Sequence, residues 1–162
     1  MKESQFRRLT RAELEEVRDQ FVRFLGVNGI DAGSWEKMKI DQPARADAYL
    51  LQFSQIVYAG VIAKVRYLIR RSRNDIRTFR IGPDKIEMRG LLVVGDTELD
   101  LTDTDTSPQD MLISLRRDGA KLRLYSAERP YREVGREQDI FLLMEGGALI
   151  DPGSFFETLA EL

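Results

Sequence analysis

The side chains of this sequence that could do chemistry are its carboxylates, its basic groups and its hydroxyls, because it contains no histidine and no cysteine. Those two residue types supply the usual proton switch near neutral pH, the thiolate nucleophile and most transition-metal ligands. The remaining groups show no spacing that is typical of a catalytic site. The sequence therefore favours a protein that is not an enzyme and that needs no cofactor and no metal.

Two basic segments alternate with two acidic ones. Residues 64–89 and 116–136 are rich in arginine, whereas residues 95–110 and 137–162 contain no lysine or arginine. If the basic segments share one face, their guanidinium groups suit phosphate, which arginine binds through two parallel hydrogen bonds. The candidate residues for polyanion binding are Arg66, Arg70, Arg71, Arg73, Arg77, Arg116, Arg117 and Arg123.

A solvated or internally paired surface is the favoured explanation of these arginines. Arg70 and Arg71 suit the C-terminus of a helix, where cations complement the helix dipole. Strand arginines that face solvent discourage pairing with the edge of another sheet. The formal net charge of −2 offers nucleic acid no long-range attraction. Nucleic-acid binding is therefore disfavoured but stays open.

An acidic run suggests comparison with a metal-binding loop. Its members are Asp96, Glu98, Asp100, Asp103 and Asp105. Asp103 and Asp105 have the alternate spacing that calcium loops use, but the glycine and the closing glutamate of an EF-hand are missing. A solvated loop is favoured. A carboxylate pair that acts as acid and base stays open, because such a pair is defined by its separation in space.

The first part of the chain has the period of helices. Thr10 and Glu13 form a capping-box pattern before a helix that runs to Gly26. Asp31 is a candidate N-cap for a short helix. Pro43 suits the first position of a longer helix, whose apolar face we expect to continue to Leu68. The predicted helical part spans residues 8–72.

After the helices, the spacing of apolar residues falls from about 3.6 toward 2 residues, which predicts a sheet part over residues 76–127. Ile76–Ile81 and Ile86–Val94 are predicted strands. Met111–Arg117 and Lys121–Ser126 flank Asp118-Gly119, a pair that favours a type I′ hairpin turn. A further short strand is expected at Leu99 and Leu101.

The end of the chain is predicted to close the fold with helices over about 136–162. Residues 136–145 fit a helix better than a strand, because acidic residues begin the segment and Gly146 follows it. The elements together predict an α+β fold. In it, N-terminal helices pack on a four- to five-stranded, mainly antiparallel sheet, with one or two C-terminal helices. One domain over residues 1–162 is expected, since a chain of this size buries about 70% of its unfolded surface.

Several short sequence motifs along the chain are similar to those of a known family. They are Phe6–Thr10, Asn28–Asp31 leading to Trp35–Lys37, Gly60-Val61, Lys64 with Tyr67-Leu68, and Asp100–Thr102. In these motifs the chain resembles an uncharacterised bacterial domain-of-unknown-function family. The resemblance implies a bacterial, soluble, single-domain protein and carries over no activity and no site.

The favoured function is a non-enzymatic cytoplasmic protein-interaction or regulatory module with an unknown protein partner. No apolar run approaches the roughly 20 residues of a membrane span, and no signal peptide is visible, which predicts a cytoplasmic protein without membrane contact. The alternatives are a module that binds polyanions or nucleic acid and a carboxylate-dependent hydrolase. A homodimer and a monomer are equally compatible with the alternating charge.

Overall fold

The computed structural model describes residues 6–95 and 97–162, so Asp96 of the acidic run lies outside the described residues. The chain divides into two compact units, Met1–Ala63 and Lys64–Leu162. The first unit is helical. Its elements are α1 (Arg11–Glu16), α2 (Arg18–Val27), α3 (Ala32–Asp41) and α4 (Pro43–Lys64).

The predicted starts of these helices are confirmed. The Thr10 hydroxyl accepts a hydrogen bond from the backbone N–H of Glu13, whose carboxylate accepts one from the N–H of Thr10. Asp31 caps α3 and Pro43 begins α4. The single helix expected up to Gly26 is instead two helices, because the backbone of Val17 leaves helical geometry at φ −112°.

Aromatic rings fill the core of the first unit. The ring of Phe21 on α2 lies 5.2 Å from that of Trp35 on α3 and 5.0 Å from that of Phe53 on α4, measured between centroids. All three side chains are buried. Rings at such distances contribute beyond the area they bury, so this cluster joins three of the four helices.

The second unit holds a five-stranded sheet in the order β4-β3-β2-β1-β5, in which all neighbours are antiparallel. The strands are β1 (Tyr67–Arg71), β2 (Asp75–Ile81), β3 (Lys85–Val94), β4 (Lys121–Pro130) and β5 (Leu149–Ile150). The helices of this unit are α5 (Pro108–Arg117), α6 (Arg136–Glu145) and α7 (Ser154–Ala160). The α+β fold class and the helices over 136–145 and near the C-terminus are confirmed.

Successive side chains of a strand point to opposite faces, so the sheet presents two different sets of residues. Different helices cover the two faces. One face, here called the α5/α7 face, packs on α5 and α7. Its core consists of Ile69, Ile76, Leu91 and Val93 with Met111, Leu112, Leu115, Phe155 and Leu159. The opposite face, here called the α6 face, presents Phe79, Met88 and Ala127 toward α6.

The predicted extent of the long helix, and with it a helical part over 8–72, is wrong. The helix α4 ends at Lys64, and Tyr67–Arg71 forms a strand that pairs with β2 along its whole length. Leu68 and Ile69 are both buried and adjacent in the sequence. So short an apolar run is compatible with a helix and with a strand. Pairing with β2 decides for the strand. Arg70 and Arg71 therefore do not lie at a helix C-terminus.

The predicted hairpin around Asp118-Gly119 is also wrong, because Met111–Arg117 belongs to α5. Ser107 caps this helix by accepting a hydrogen bond from the backbone N–H of Asp110. Gly119 does have the positive φ of +70° that the turn requires. In the structure this positive φ ends α5. Helix C-termini and type I′ turns both require a residue with positive φ, so the glycine is compatible with either.

The short strand expected at Leu99 and Leu101 is not found in residues 97–107. Leu101 is fully buried in the core of the α5/α7 face. Its backbone N–H donates to the carbonyl of Arg73 at 2.9 Å, and Arg71 donates to the carbonyls of Leu101 and Asp103, so the loop is fixed by burial and hydrogen bonds without being a strand. Across the described residues, no helix combines the length and the apolarity needed to cross a bilayer.

Candidate ligand-binding cleft

A cleft of about 540 Å³ lies between the α6 face of the sheet and α6, and we call it the α6 cleft. Its floor is apolar and its roof is the inner side of α6 with the turn that follows. The floor residues are Phe79, Ile86, Met88 and Ala127, and the roof residues are Leu142, Leu143, Gly146 and Ala148. The volume falls in the range of roughly 300–1,000 Å³ that is usual for small-molecule sites.

Strand pairing builds the floor. Phe79 is the partner of Met88 across β2 and β3, and Met88 is the partner of Ala127 across β3 and β4. These side chains form one apolar row because directly paired residues point to the same face. Phe79 is buried, Met88 is half-buried and Ala127 is exposed, so the floor opens toward β4.

Two arginines stand side by side at one end of the cleft. Arg70 on β1 and Arg77 on β2 are direct partners in the sheet, and both line the cleft. Among the hydrogen bonds and ion pairs of the described residues, none involves the guanidinium of Arg70. Like charges directly opposite each other in a sheet are destabilising. Asp75 lies 3.4 Å from Nε of Arg77 and offsets part of this charge, so Arg70 is the arginine at this end that is open to an anion.

Tyr125 holds Arg77 in place. Its hydroxyl donates to Asp75 at 2.5 Å and accepts from Nε of Arg77 at 3.2 Å. Its ring covers Gly90, where a Cβ would lie 2.0 Å from the ring. Burial and the hydrogen bond to Asp75 raise the pKa of Tyr125 to about 12. Tyr125 is therefore neutral at physiological pH and acts here as a hydrogen-bonding clamp.

The other end of the cleft contains an ion pair whose carboxylate is buried and whose guanidinium is half-buried. Arg129 on β4 donates from Nη1 and Nη2 to the two carboxylate oxygens of Asp139 on α6, at 2.6 and 2.8 Å. The backbone N–H of Arg132 donates to the same carboxylate. Burial raises the pKa of Asp139, but the hydrogen bonds from Arg129 and Arg132 outweigh it and leave that pKa below its usual value. Asp139 is an anion that fixes α6 over the sheet.

The charge that remains in the cleft is positive. Asp139 neutralises Arg129, and Asp75 pairs with Arg77. Arg70 and Arg132 make no ion pair within the described part of the chain. Glu128 also lines the cleft, but its carboxylate is 2.9 Å from Nζ of Lys85. An apolar floor with positive groups at both ends attracts organic anions.

The comparison with protein families agrees with the resemblance seen in the sequence. The model of a family of unknown function, DUF6495, matches residues 1–162. The chain belongs to this family. No curated protein and no solved structure matches the chain. The bacterial origin of the protein stays a prediction.

The arginines predicted from the sequence of this DUF6495 protein lie on both faces of the sheet. Arg70 and Arg77 meet in the α6 cleft, and Arg123 lies on the same face further along β4. Arg71 lies on the opposite face. Its guanidinium lies 5.0 Å from the ring centroid of Phe155 and donates to the carbonyl of Leu101.

The other predicted arginines are spread around the strands. Arg66 lies between α4 and β1, and Arg73 lies in the turn after β1. Arg116 and Arg117 lie in the last turn of α5. Binding of a polyanion through the whole set stays a prediction.

Sequence reasoning missed Arg129, Arg132 and Asp139 as site residues. Arg129 and Arg132 lie in the second basic segment, and Asp139 is one of the acidic residues that begin the predicted helix over 136–145. Their signal in the sequence was charge alone. The pairing of β4 with β3 and the course of α6 bring them to one end of the cleft.

Two members of the acidic run, Asp100 and Asp103, use their carboxylates within their own loop. Asp103 accepts hydrogen bonds from the backbone N–H of Asp105 and from the hydroxyl of Thr106. Asp100 accepts from the N–H and the hydroxyl of Thr102, which lowers its pKa. No group of three or more acidic side chains suited to a metal ion occurs in residues 6–95 and 97–162.

Proposed function

We propose that this DUF6495 protein is a non-enzymatic binding module whose α6 cleft takes a small organic anion. The observation that carries the proposal is the combination of an apolar floor with Arg70, a cation that lines the cleft without a partner among the described residues. Concave sites with apolar walls and few polar groups are typical of small-molecule binding.

The apolar part of such a ligand would lie between the sheet and α6. Phe79 and Met88 offer a flat floor, and Leu142 and Leu143 offer the opposing wall. Met88 and Leu143 are half-buried and Leu142 is exposed, so a ligand would cover apolar surface that now faces water. Each square ångström of that surface contributes about 25 cal/mol on burial, which favours a ligand with a ring or a short chain.

The state of the ionisable groups in the cleft supports binding without catalysis. Both oxygens of Asp139 accept hydrogen bonds, and its lowered pKa makes it a poor proton donor. Tyr125, with a pKa of about 12, is a poor base at neutral pH. General acid and base groups work best with a pKa near the working pH. The cleft thus offers positioned charge, and neither Asp139 nor Tyr125 is tuned for proton transfer.

Ligand binding in the α6 cleft fits the regulatory role favoured by the sequence. A ligand that contacts the sheet and α6 together stabilises the state in which they are packed. The surface of α6 can then present a ligand-dependent signal to a protein partner. That partner and the cytoplasmic location remain predictions.

Binding of 1-anilinonaphthalene-8-sulfonate, an apolar anion whose fluorescence rises in apolar sites, tests the proposal. We expect saturable binding to the folded protein. Ala127→Phe fills the floor of the cleft and should weaken binding at least tenfold. Ser126→Phe is the matched control, because Ser126 is also exposed on β4 but points to the other face of the sheet.

The proposal fails if the two variants bind the probe equally well or if the unmodified protein does not bind it. This dye also binds partly folded states, so near-ultraviolet circular dichroism must show that each variant keeps its tertiary packing.

A further inference from the structure

The arginine end of the α6 cleft has the geometry of a site for an oxyanion with several oxygens. Arg70 and Arg77 are direct partners on adjacent strands, which places their Cβ atoms roughly 5 Å apart on one face. Arg77 gives its Nε to Tyr125 and keeps its terminal amino groups for a ligand. Arg70 has its whole guanidinium available among the described residues.

A second, smaller cavity continues the cleft at this end. It measures about 180 Å³ and is lined by Arg70, Arg71, Ser72, Asp75 and Arg77. Arg70 and Arg77 line both cavities, so they lie between the apolar floor of the α6 cleft and the polar lining of the smaller cavity. The carboxylate of Asp75 also lies here, but Tyr125 donates to it and Arg77 lies 3.4 Å from it.

Arg70 spans this end of the cleft from the sheet toward the roof. Its Nε would lie 3.9 Å from a Cβ placed at Gly147, in the turn between α6 and β5. The guanidinium therefore lies beside the backbone that follows α6. A charged group bound to Arg70 would lie at the mouth of the cleft, with its apolar part directed over Phe79.

We propose that the ligand is a phosphate monoester of an apolar alcohol and that its phosphate binds between Arg70 and Arg77. This inference rests on the proposed function of the α6 cleft. A carboxylate has two oxygens and one charge, which satisfy a single guanidinium. A phosphate monoester has three terminal oxygens and a charge near −2, so it can bridge the guanidinium of Arg70 and the terminal amino groups of Arg77, whose charge Asp75 offsets only in part.

The test compares phenyl phosphate, benzoate and inorganic phosphate by isothermal titration calorimetry at constant ionic strength. Phenyl phosphate should bind about ten- to hundredfold more tightly than benzoate, because charge-assisted hydrogen bonds to a second arginine carry that much affinity. Inorganic phosphate should bind more weakly than phenyl phosphate, since it leaves the apolar floor uncovered.

Two charge-removing variants locate the phosphate. Arg70→Gln should weaken phenyl phosphate binding about tenfold or more and abolish the preference over benzoate. Arg117→Gln is the matched control, because Arg117 is an exposed arginine of α5, which packs on the other face of the sheet, and it lines neither cavity. It should change the affinity by less than about threefold, as expected for a distant exposed charge. Both residues are exposed, which favours intact folding of the variants.

The pH dependence supplies an independent readout. Because the protein contains no histidine, few of its groups titrate between pH 5 and 7. A phosphate monoester gains its second charge near pH 6. The affinity for phenyl phosphate should therefore rise from pH 5 to 7, while the affinity for benzoate should stay nearly constant.

The outcomes separate this inference from the proposed function. If the naphthalene sulfonate binds in the cleft but phenyl phosphate binds no better than benzoate, the phosphate assignment is overturned and the cleft stands. If Arg117→Gln weakens binding as much as Arg70→Gln, the location between Arg70 and Arg77 is overturned. If neither probe binds, both proposals fail.

Discussion

Arg129 and Asp139, which are ten residues apart in the sequence, form a bidentate ion pair that joins β4 to α6. The side chain of Asp139 is 1% exposed, whereas that of Arg129 is 35% exposed. The pair is thus buried on its acidic side and open to water on its basic side. Because the carboxylate carries the desolvation cost, the fold depends on Arg129 and on the N–H of Arg132 to keep it ionised.

Asp139→Asn should destabilise the protein by about 2–3 kcal/mol in urea denaturation. Breaking a fully buried pair costs roughly 3–5 kcal/mol, and the exposed third of Arg129 reduces that cost because water solvates the cation left behind. The control is Asp47→Asn, which breaks the exposed pair with Arg8 and should cost less than about 1 kcal/mol. Equal losses in the two variants would contradict the structural role of Asp139.

Acid should destabilise the helical unit through Glu13. Hydrogen bonds from Arg7 and Thr10 lower the pKa of Glu13 from 4.5 to about 2. The ionised carboxylate therefore contributes stability above pH 4.5, and this contribution is lost as the pH falls toward 2.

Melting temperatures at pH 7 and pH 3 measure this loss. Glu13→Gln should lower the melting temperature at pH 7 and reduce its decrease toward pH 3. Glu16→Gln alters an exposed glutamate of the same helix and should leave the pH dependence as it is. An unchanged acid response in Glu13→Gln would refute the assignment.

Helix starts could be predicted from the sequence because their signals act within three or four residues. Thr10, Asp31 and Pro43 each satisfy or replace backbone donors of the first turn, and the structure places each at the expected end. The Asp118-Gly119 turn could not be assigned in the same way. A positive φ at Gly119 serves a hairpin and a helix end equally, and the cap at Ser107 decides between them.

The strand β1 and the cleft depend on partners that lie far along the chain. Tyr67–Arg71 becomes a strand because β2 and β5 pair with it on its two sides. The same pairing sets Arg70 beside Arg77, and no spacing rule in the sequence predicts that contact. Charge clustering therefore pointed to both arginines but could not separate them from Arg71, which faces the opposite helices.

The single domain predicted from the sequence stays a prediction that calorimetry can test. The two units meet within α4, between Ala63 and Lys64, and only two residues separate the end of α4 from the start of β1. Flexible domain linkers are usually longer and richer in polar residues and glycine. We expect one cooperative unfolding transition. Two separated transitions, or a folded fragment after cleavage near Val65, would contradict the prediction.

Gly90→Ala should destabilise the sheet unit by about 1–3 kcal/mol, the usual cost of overpacking. A Cβ at Gly90 would lie 2.0 Å from the ring of Tyr125, so the ring must move and release Asp75 and Arg77. In a Tyr125→Ala background the same substitution meets no ring and should cost much less. The double variant should therefore be more stable than the sum of the single losses predicts.

Urea denaturation of the four proteins in this cycle measures the coupling. Gly60→Ala is the control, because a Cβ at Gly60 on α4 meets no atom within 4 Å. It should be neutral or stabilising, since alanine favours a helix over glycine by about 1 kcal/mol. Additive losses at Gly90 and Tyr125 would show that the ring does not lie on the glycine. The clamp on Arg77 would then have to be abandoned, because the ring that covers Gly90 also carries the hydroxyl that holds this arginine.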